Sequence, residues 1–318
     1  MRAATACLGT EAGRKVKITS RARRRRRAFY TFVTPWLVGF ILLTTLPLIA
    51  GLLTSLTNYD GLNLFNVDFV GMRNYASVLK DPNARHGVNR TLMWSLLNLP
   101  LWMICSLLLA ILVNRKVKGI GVFRTLLYIP SVIPGVALVW TWKIILEQNF
   151  GLLNGFLSLF RPGTGIGWLT KYALGGVTAI AVWNGLGAGM IIFLAGLQGI
   201  PDELVEAARI DGANNFQVFW NVTLPMMTPV LFYQLVLGLI GAFQQFVIPL
   251  LVTTTAQQGI PVRGAYLYMI HVYQQIFATG RFGYGMALLW LLIIVIVLLT
   301  GVVFATQRYW VYTEIGEV

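Results

Sequence analysis

Long stretches of this chain carry no charged side chain, and no other feature constrains its fold as tightly. The longest runs from Gly212 to Val262. A water-soluble domain uses roughly 25% charged residues. Here 11% of the 318 residues are charged, 57% are hydrophobic, and mean hydropathy is +0.70. A helix needs ~20 apolar residues to cross ~30 Å of hydrocarbon. The uncharged runs therefore predict an all-helical integral membrane protein with six spans, near 29–56, 91–113, 122–146, 173–198, 226–252 and 283–306.

Charge sets the expected orientation. The net charge is +14, but ten bases precede Ala28, including the unbroken run Arg23 to Arg27. Arg115, Lys116 and Lys118 fall between the second and third spans, and Arg124 at the start of the third. The positive-inside rule places such segments in the cytoplasm. Both termini, and the segment between spans four and five, then face the cytoplasm. The arginine run reads as a topology anchor with affinity for anionic lipid rather than as a nucleic-acid site. Residues 1–28 are expected to form a disordered basic tail, 29–306 the membrane domain, and 307–318 a cytoplasmic tail. The first apolar run exceeds the 7–15-residue core of a cleavable signal. Cys7 and Cys105 fall at different levels of the chain, which supports neither a disulfide framework nor a metal site.

The inventory for catalysis is thin. His86 and His271 have no metal-ligand spacing, and no Gly-Lys-Ser/Thr phosphate loop occurs, so ATP hydrolysis is not expected of this chain. Lys143 is the only ionisable residue well inside a run. With Trp140 and Trp142 beside it and Glu147 four residues on, it reads as a lysine snorkelling at the outer interface. Spans free of carboxylates argue against a proton-coupled carrier. Pro35, Pro47, Pro100, Pro130, Pro134 and Pro249 predict kinked spans. Gly185, Gly189 and Gly196 predict close helix packing around the fourth.

The most informative polar segment is Glu206-Ala207-Ala208-Arg209-Ile210-Asp211-Gly212, followed twelve residues later by Leu224-Pro225. Pro201 sits near a helix start, where its missing N–H is harmless. Asp202 and Glu203 suit the positive end of the helix dipole. Ala207 and Ala208 offer a small, nearly flat face, Glu206 and Arg209 polar handles, and Asp211-Gly212 a turn that calls for positive φ at the glycine. Asn214 to Val222 reads as a second short helix carrying Phe216, Phe219 and Trp220. Exposed aromatics and alanines in a water-facing loop at 200–225 call for a protein that covers them.

These residues resemble the coupling loop of permease subunits in bacterial ATP-binding-cassette importers: Glu-Ala-Ala, then Gly, then an apolar residue, any residue, and Leu-Pro. Val222 is the apolar residue here. Phe69-Val70-Gly71-Met72-Arg73-Asn74-Tyr75, Phe150-Gly151-Leu152-Leu153-Asn154, Phe123-Arg124 with Pro130, and Trp310-Val311-Tyr312 resemble the carbohydrate-importing branch, and the last of these resembles its larger, maltose-type permease rather than the shorter partner. The resemblance runs from about Phe29 to the C-terminus. It departs at Phe246-Val247, where Phe-Asp is frequent, and at Thr253 to Pro261, which replaces a Gly-Gly-Pro loop. It implies a type I importer permease fold with a cytoplasmic coupling helix, in the bacterial plasma membrane. The implied partners are a second permease subunit, two copies of a nucleotide-binding ATPase that holds ATP and Mg, an extracytoplasmic solute-binding protein and membrane lipid. Closure of the ATPase pair would push the loop as a lever and rock the spans between inward- and outward-facing states.

A solute path is expected in spans four to six, which carry amides and aromatic rings without charge. Trp183, Asn184, Tyr233, Gln234, Gln244, Gln245, Phe243, Phe246, Tyr284 and Trp290 are the residues concerned. Amides exchange hydrogen bonds with hydroxyls and rings cover an apolar sugar face, so this set suits a sugar or oligosaccharide. Interhelical hydrogen bonding, worth roughly 0.6–2 kcal/mol per pair, explains any one of them equally well. Gln244 and Gln245 stand out because adjacent mid-span amides cannot both face lipid cheaply. The same architecture could import glycerol phosphate, a polyamine or an amino acid. A stand-alone carrier would show an internal repeat or intramembrane charge, and a membrane-bound enzyme would need a catalytic set.

Overall fold

The computed structural model describes residues 20–318 apart from 63, 64, 66, 116, 164, 254–261 and 313–318, with side chains from residue 24 onward. The expected tails lie partly outside these residues, as does most of the 253–261 loop. The chain divides into two compact units, Met1–Leu53 and Thr54–Val318.

The first unit is the first span, α1 (Arg24–Ser55), which ends just inside the second unit. Its helix already runs from Ser20, so the basic run Arg23 to Arg27 is helical and does not belong to a disordered tail. Arginines are good helix formers, and an apolar helix on their C-terminal side supplies the nucleus. Ile41–Thr45 is wound as a π-turn, with the Leu46 N–H bonded to the Ile41 carbonyl. The cause is Pro47. A proline has no N–H and its ring clashes with the carbonyl four residues back, so the preceding turn widens by one residue.

The second unit is built around α7 (Ala173–Gln198), 50% of whose apolar window is buried against 22% for its neighbours α3 (Pro82–Val113), α9 (Asn215–Gln244) and α12 (Phe282–Trp310). The predicted close approach is present. A Cβ at Gly185 would stand 2.8 Å from Trp102 Nε1, one at Gly189 2.6 Å from Ser106 Oγ, and one at Gly196 2.8 Å from Val230 Cγ2. Three buried clusters fill the unit, two of them on α7 and the other between α3, α9, α11 and α12. Leu138, Val177, Ile180 and Ile270 belong to one, Phe243, Tyr268 and Leu288 to the second, and Ala110, Met190, Phe193 and Met227 to the third.

Two of the six expected spans are broken. Residues 122–146 form α4 (Ile120–Val132) and α5 (Gly135–Ile145), which meet at 97°. Ile133 is extended because a residue before proline is pushed out of the helical region. Residues 226–252 are the end of α9 and a separate α10 (Val247–Thr253). The α9 helix stops at Gln244, and Gln245 is extended (φ −69°, ψ 125°). Pro249 cannot donate to the Gln245 carbonyl, so an unbroken helix would leave that group orphaned. The two broken pieces α5 and α10 pack on each other, and Lys143 Nζ donates to the Leu251 carbonyl at 3.2 Å.

The polar residues of the segments between spans act as staples. Asn74, on α2 (Arg73–Lys80), donates to the Ser55 and Thr57 carbonyls at 2.8 Å each, capping the end of α1. Asn154, on α6 (Leu152–Ser158), donates to the Gln148 and Ile166 carbonyls and accepts from Trp168 Nε1, all at 2.9 Å. Asp81 caps α3, accepts from the Tyr284 hydroxyl at 2.6 Å and lies 3.0 Å from His271 Nε2 on α11 (Tyr268–Tyr273). At the other end, α12 runs through to Trp310, so the expected C-terminal tail begins as helix.

Candidate functional site

The segment that carries the motif folds as a helix, a tight turn and the entry to a span. Asp202–Ile210 is α8, with Asp202 and Glu203 in its first turn and Arg209 in its last. Pro201 is its cap, one residue earlier than the sequence suggested. Two backbone bonds close the C-terminus: Gly212 N–H to the Arg209 carbonyl and Ala213 N–H to the Ala208 carbonyl, each 3.0 Å. With Gly212 at φ +85° this is a Schellman turn. Asn214 then opens α9 with a reciprocal cap, its side chain accepting from Gln217 N–H (2.9 Å) while Gln217 accepts from Asn214 N–H (2.8 Å).

Asn214 to Val222 is therefore not a free second helix. Asn215–Val218 continues through a π-turn at Phe219–Thr223 directly into the fifth span. The turn has the same cause as the one in α1: Leu224-Pro225 follows it as Leu46-Pro47 follows the first, and the Leu224 N–H bonds the Phe219 carbonyl. Asn215 and the expected fifth span thus belong to one helix. The Pro225 carbonyl accepts from the Thr228 hydroxyl (2.6 Å), which in turn accepts from the Tyr312 N–H (2.8 Å), tying the C-terminal end to this entry.

The outward surface of the loop mixes charged and large apolar side chains. Glu206, Ala207, Arg209, Asp211 and Gly212 are exposed, Ala208 is half-buried, and Ile210 (86%), Phe216 (71%) and Trp220 (50%) stand in the open. Water-facing apolar side chains at this density mark a surface that another molecule covers.

The candidate path residues separate into two groups. Tyr233 and Gln244 are exposed on one face of α9, because eleven residues at 100° each return to within about 20° of the same direction. Leu237 and Gly241 complete the stripe. Gln245 is half-buried at the break and Phe246 stacks on Tyr273, their centroids 5.9 Å apart. The two glutamines are adjacent but sit at a helix end and not in mid-helix, so they do not share one environment. Trp183 meets Trp142 edge-on at 5.4 Å and packs, with Phe246, against the buried cluster around Ile180. Asn184 donates to the Pro130 carbonyl at 2.8 Å, the group that Pro134 cannot serve, and its own carbonyl accepts from Ser131 Oγ at 2.9 Å. That makes Asn184 the clasp of the α4–α5 break.

One polar feature lies outside the residues that the sequence singles out. Trp94, Ser95, Asn98, Trp102 and Ser106 lie along one side of α3, and each has a buried polar atom without a hydrogen-bond partner among the described residues. Their four-residue spacing was available in the sequence as a helix-face signal, but α3 is apolar enough overall to hide it.

A sequence profile described as the inner membrane component of binding-protein-dependent transport systems matches residues 102–311. A probable ABC transporter permease, YesP of Bacillus subtilis, is 34% identical over 300 residues, covering 93% of this chain and 95% of its own. The trehalose/maltose transport system permease MalF of Thermococcus litoralis is 30% identical over 295 residues, covering 92% and 98%. Among solved structures, a chain of a bacterial alginate ABC transporter, captured with its alginate-loaded periplasmic protein, superposes with a TM-score of 0.80 over 94% of this chain and 100% of that one. At 18% identity that likeness is one of fold.

Proposed function

The chain belongs to the inner membrane component family of binding-protein-dependent transport systems, and from that premise we propose that it is one permease subunit of an ATP-driven importer of sugars or oligosaccharides. The observation that carries the proposal is the turn at Gly212: two backbone bonds close α8 there, exposed apolar side chains flank it, and it leads into α9, a single helix that runs on as a membrane span. It receives the stroke of a nucleotide-binding ATPase, two copies of which hold ATP and Mg on the cytoplasmic side. A second permease subunit covers the exposed α9 stripe, and a solute-binding protein delivers from outside. Both termini are cytoplasmic on this reading. The breaks between α4 and α5 and between α9 and α10 supply backbone that can swing as the spans rock.

The solute class follows from relatives and from chemistry. Permeases for trehalose/maltose and for starch degradation products match over about nine-tenths of the chain. A relative named for sn-glycerol-3-phosphate is 33% identical over 250 residues. Neither α7 nor α9 holds an arginine or lysine to pair with a phosphate, which favours an uncharged, hydroxylated solute. The test is reconstitution of the chain in vesicles with its genomic neighbours, the second permease, ATPase and binding protein. Maltose-type oligosaccharides bound to that protein stimulate ATP hydrolysis and accumulate inside. Accumulation without ATP, or an ATPase that fails to co-purify with this chain, overturns the proposal.

A further inference from the structure

Beside the proposed transport machinery, α2, α3 and α12, with Phe243 of α9 and Tyr268 of α11, line an apolar groove of about 280 Å³. Phe243 and Leu292 are buried at its base, Val88 and Val295 line its sides, and Arg85 stands at one end. The N-terminal ends of α3 and α12 meet, since Tyr284 on α12 donates to Asp81, the cap of α3. Both helices therefore descend from the same membrane surface.

The depth of the groove can be read from α12. Val295 is fourteen residues from Arg281 and thirteen from Arg308, the charges that bracket this span, so it marks the middle of the bilayer. Fourteen residues at 1.5 Å each make ~21 Å. Half a bilayer with its headgroups is ~20–22 Å thick. The groove thus runs the length of one leaflet, from the headgroup layer to the mid-plane. Arg85 is exposed at its upper end and, among the described residues, makes no ion pair. A guanidinium there matches a phosphate in shape and charge.

We infer that this groove seats an acyl chain of a phospholipid, with the lipid phosphate on Arg85. The bound chain is a wedge between α3 and α12, and it fills apolar volume that the protein leaves open. The inference rests on the chain spanning a membrane and is independent of the solute it moves.

The experiment uses the assembled transporter in native membranes, with the photo-crosslinking residue p-benzoylphenylalanine placed at position 88 and, as a control, at Leu108, an exposed α3 site outside the groove. After extraction and a delipidating detergent wash, irradiation gives a phospholipid-mass adduct at 88 and none at 108. Arg85→Ala lowers the yield at 88 several-fold. A cross-link from 88 to the second permease or to another protein, no lipid adduct at 88, or equal yields at both sites overturns the inference. Native mass spectrometry of complexes carrying the standard residues supplies a readout that needs no probe. One retained phospholipid is lost in Val88→Trp, and an unchanged lipid count sinks the idea.

Discussion

Gly212 offers the sharpest test of the coupling loop, because its φ of +85° and its surroundings separate two explanations for a glycine there. A Cβ built at this position meets nothing within 4 Å. Space is therefore not the constraint within this chain; the backbone is. An L-residue held in the left-handed region costs about 1–2 kcal/mol, which shifts the balance between the closed and unwound turn roughly 5–30-fold. Unwinding would release the bonds from Gly212 to Arg209 and from Ala213 to Ala208, each worth ~0.5–1.5 kcal/mol net, so strain and bond loss are of similar size. Gly212→Val should therefore lower ATP-driven uptake per assembled complex at least five-fold. Gly212→Ala should fall between Val and wild type. Gly212→Asn should stay near wild type, because asparagine tolerates this conformation although it is larger than alanine. The assay is labelled-sugar uptake normalised to detergent-stable complex, with ATP hydrolysis measured in parallel to expose uncoupling. A ranking by size, with Asn worse than Ala, refutes the backbone argument and points to a clash with the protein that covers the loop.

A reporter fused after Lys118 or within 213–221 should read cytoplasmic and one within 62–85 or 256–280 external; an external reading from 213–221 would remove the loop from any cytosolic ATPase. Asn184→Leu and Gln244→Leu should fail differently. The first strands the Pro130 carbonyl and costs about 1–3 kcal/mol, read as a lower melting temperature and less complex. The second, exposed on the α9 stripe, should leave assembly intact and reduce normalised uptake, and the reverse pattern would exchange their roles. Acid should loosen the junction between α3 and α11. Burial holds His271 below its ordinary value of 6.5 despite the attraction of Asp81. Burial of Asp81 opposes its ionisation, yet bonds from Tyr284, Asn83 and His271 keep it below 3.8. The unfolded chain then binds protons that the folded one refuses as pH falls below about 6.5, so stability is present above that value and is lost on acidification. Melting temperature should drop between pH 7.5 and 5.5, and His271→Gln should flatten that drop; an unchanged slope would assign it to other groups.

What the sequence determined by itself was local in origin. Apolar length set the number of membrane crossings, and α7 and α12 begin and end within a few residues of their expected bounds because lipid thickness and charge fix them. Gly212 needed its left-handed turn, and Gly185, Gly189 and Gly196 their close neighbours, for reasons carried by a missing Cβ. Tertiary structure alone decided where spans break and what each amide does. Pro130 and Pro134 announced a kink, but a 97° bend survives in the apolar interior because Asn184, fifty-four residues from Pro130, comes back to satisfy the exposed carbonyl. In the same way Gln244 and Gln245 looked alike as neighbours until Pro249 and the packing of α10 on α5 ended the helix between them, leaving one on an open face and the other in a joint. A polar side chain in a membrane is defined by its partner, and that partner lies far along the chain, where hydropathy and spacing carry no record of it.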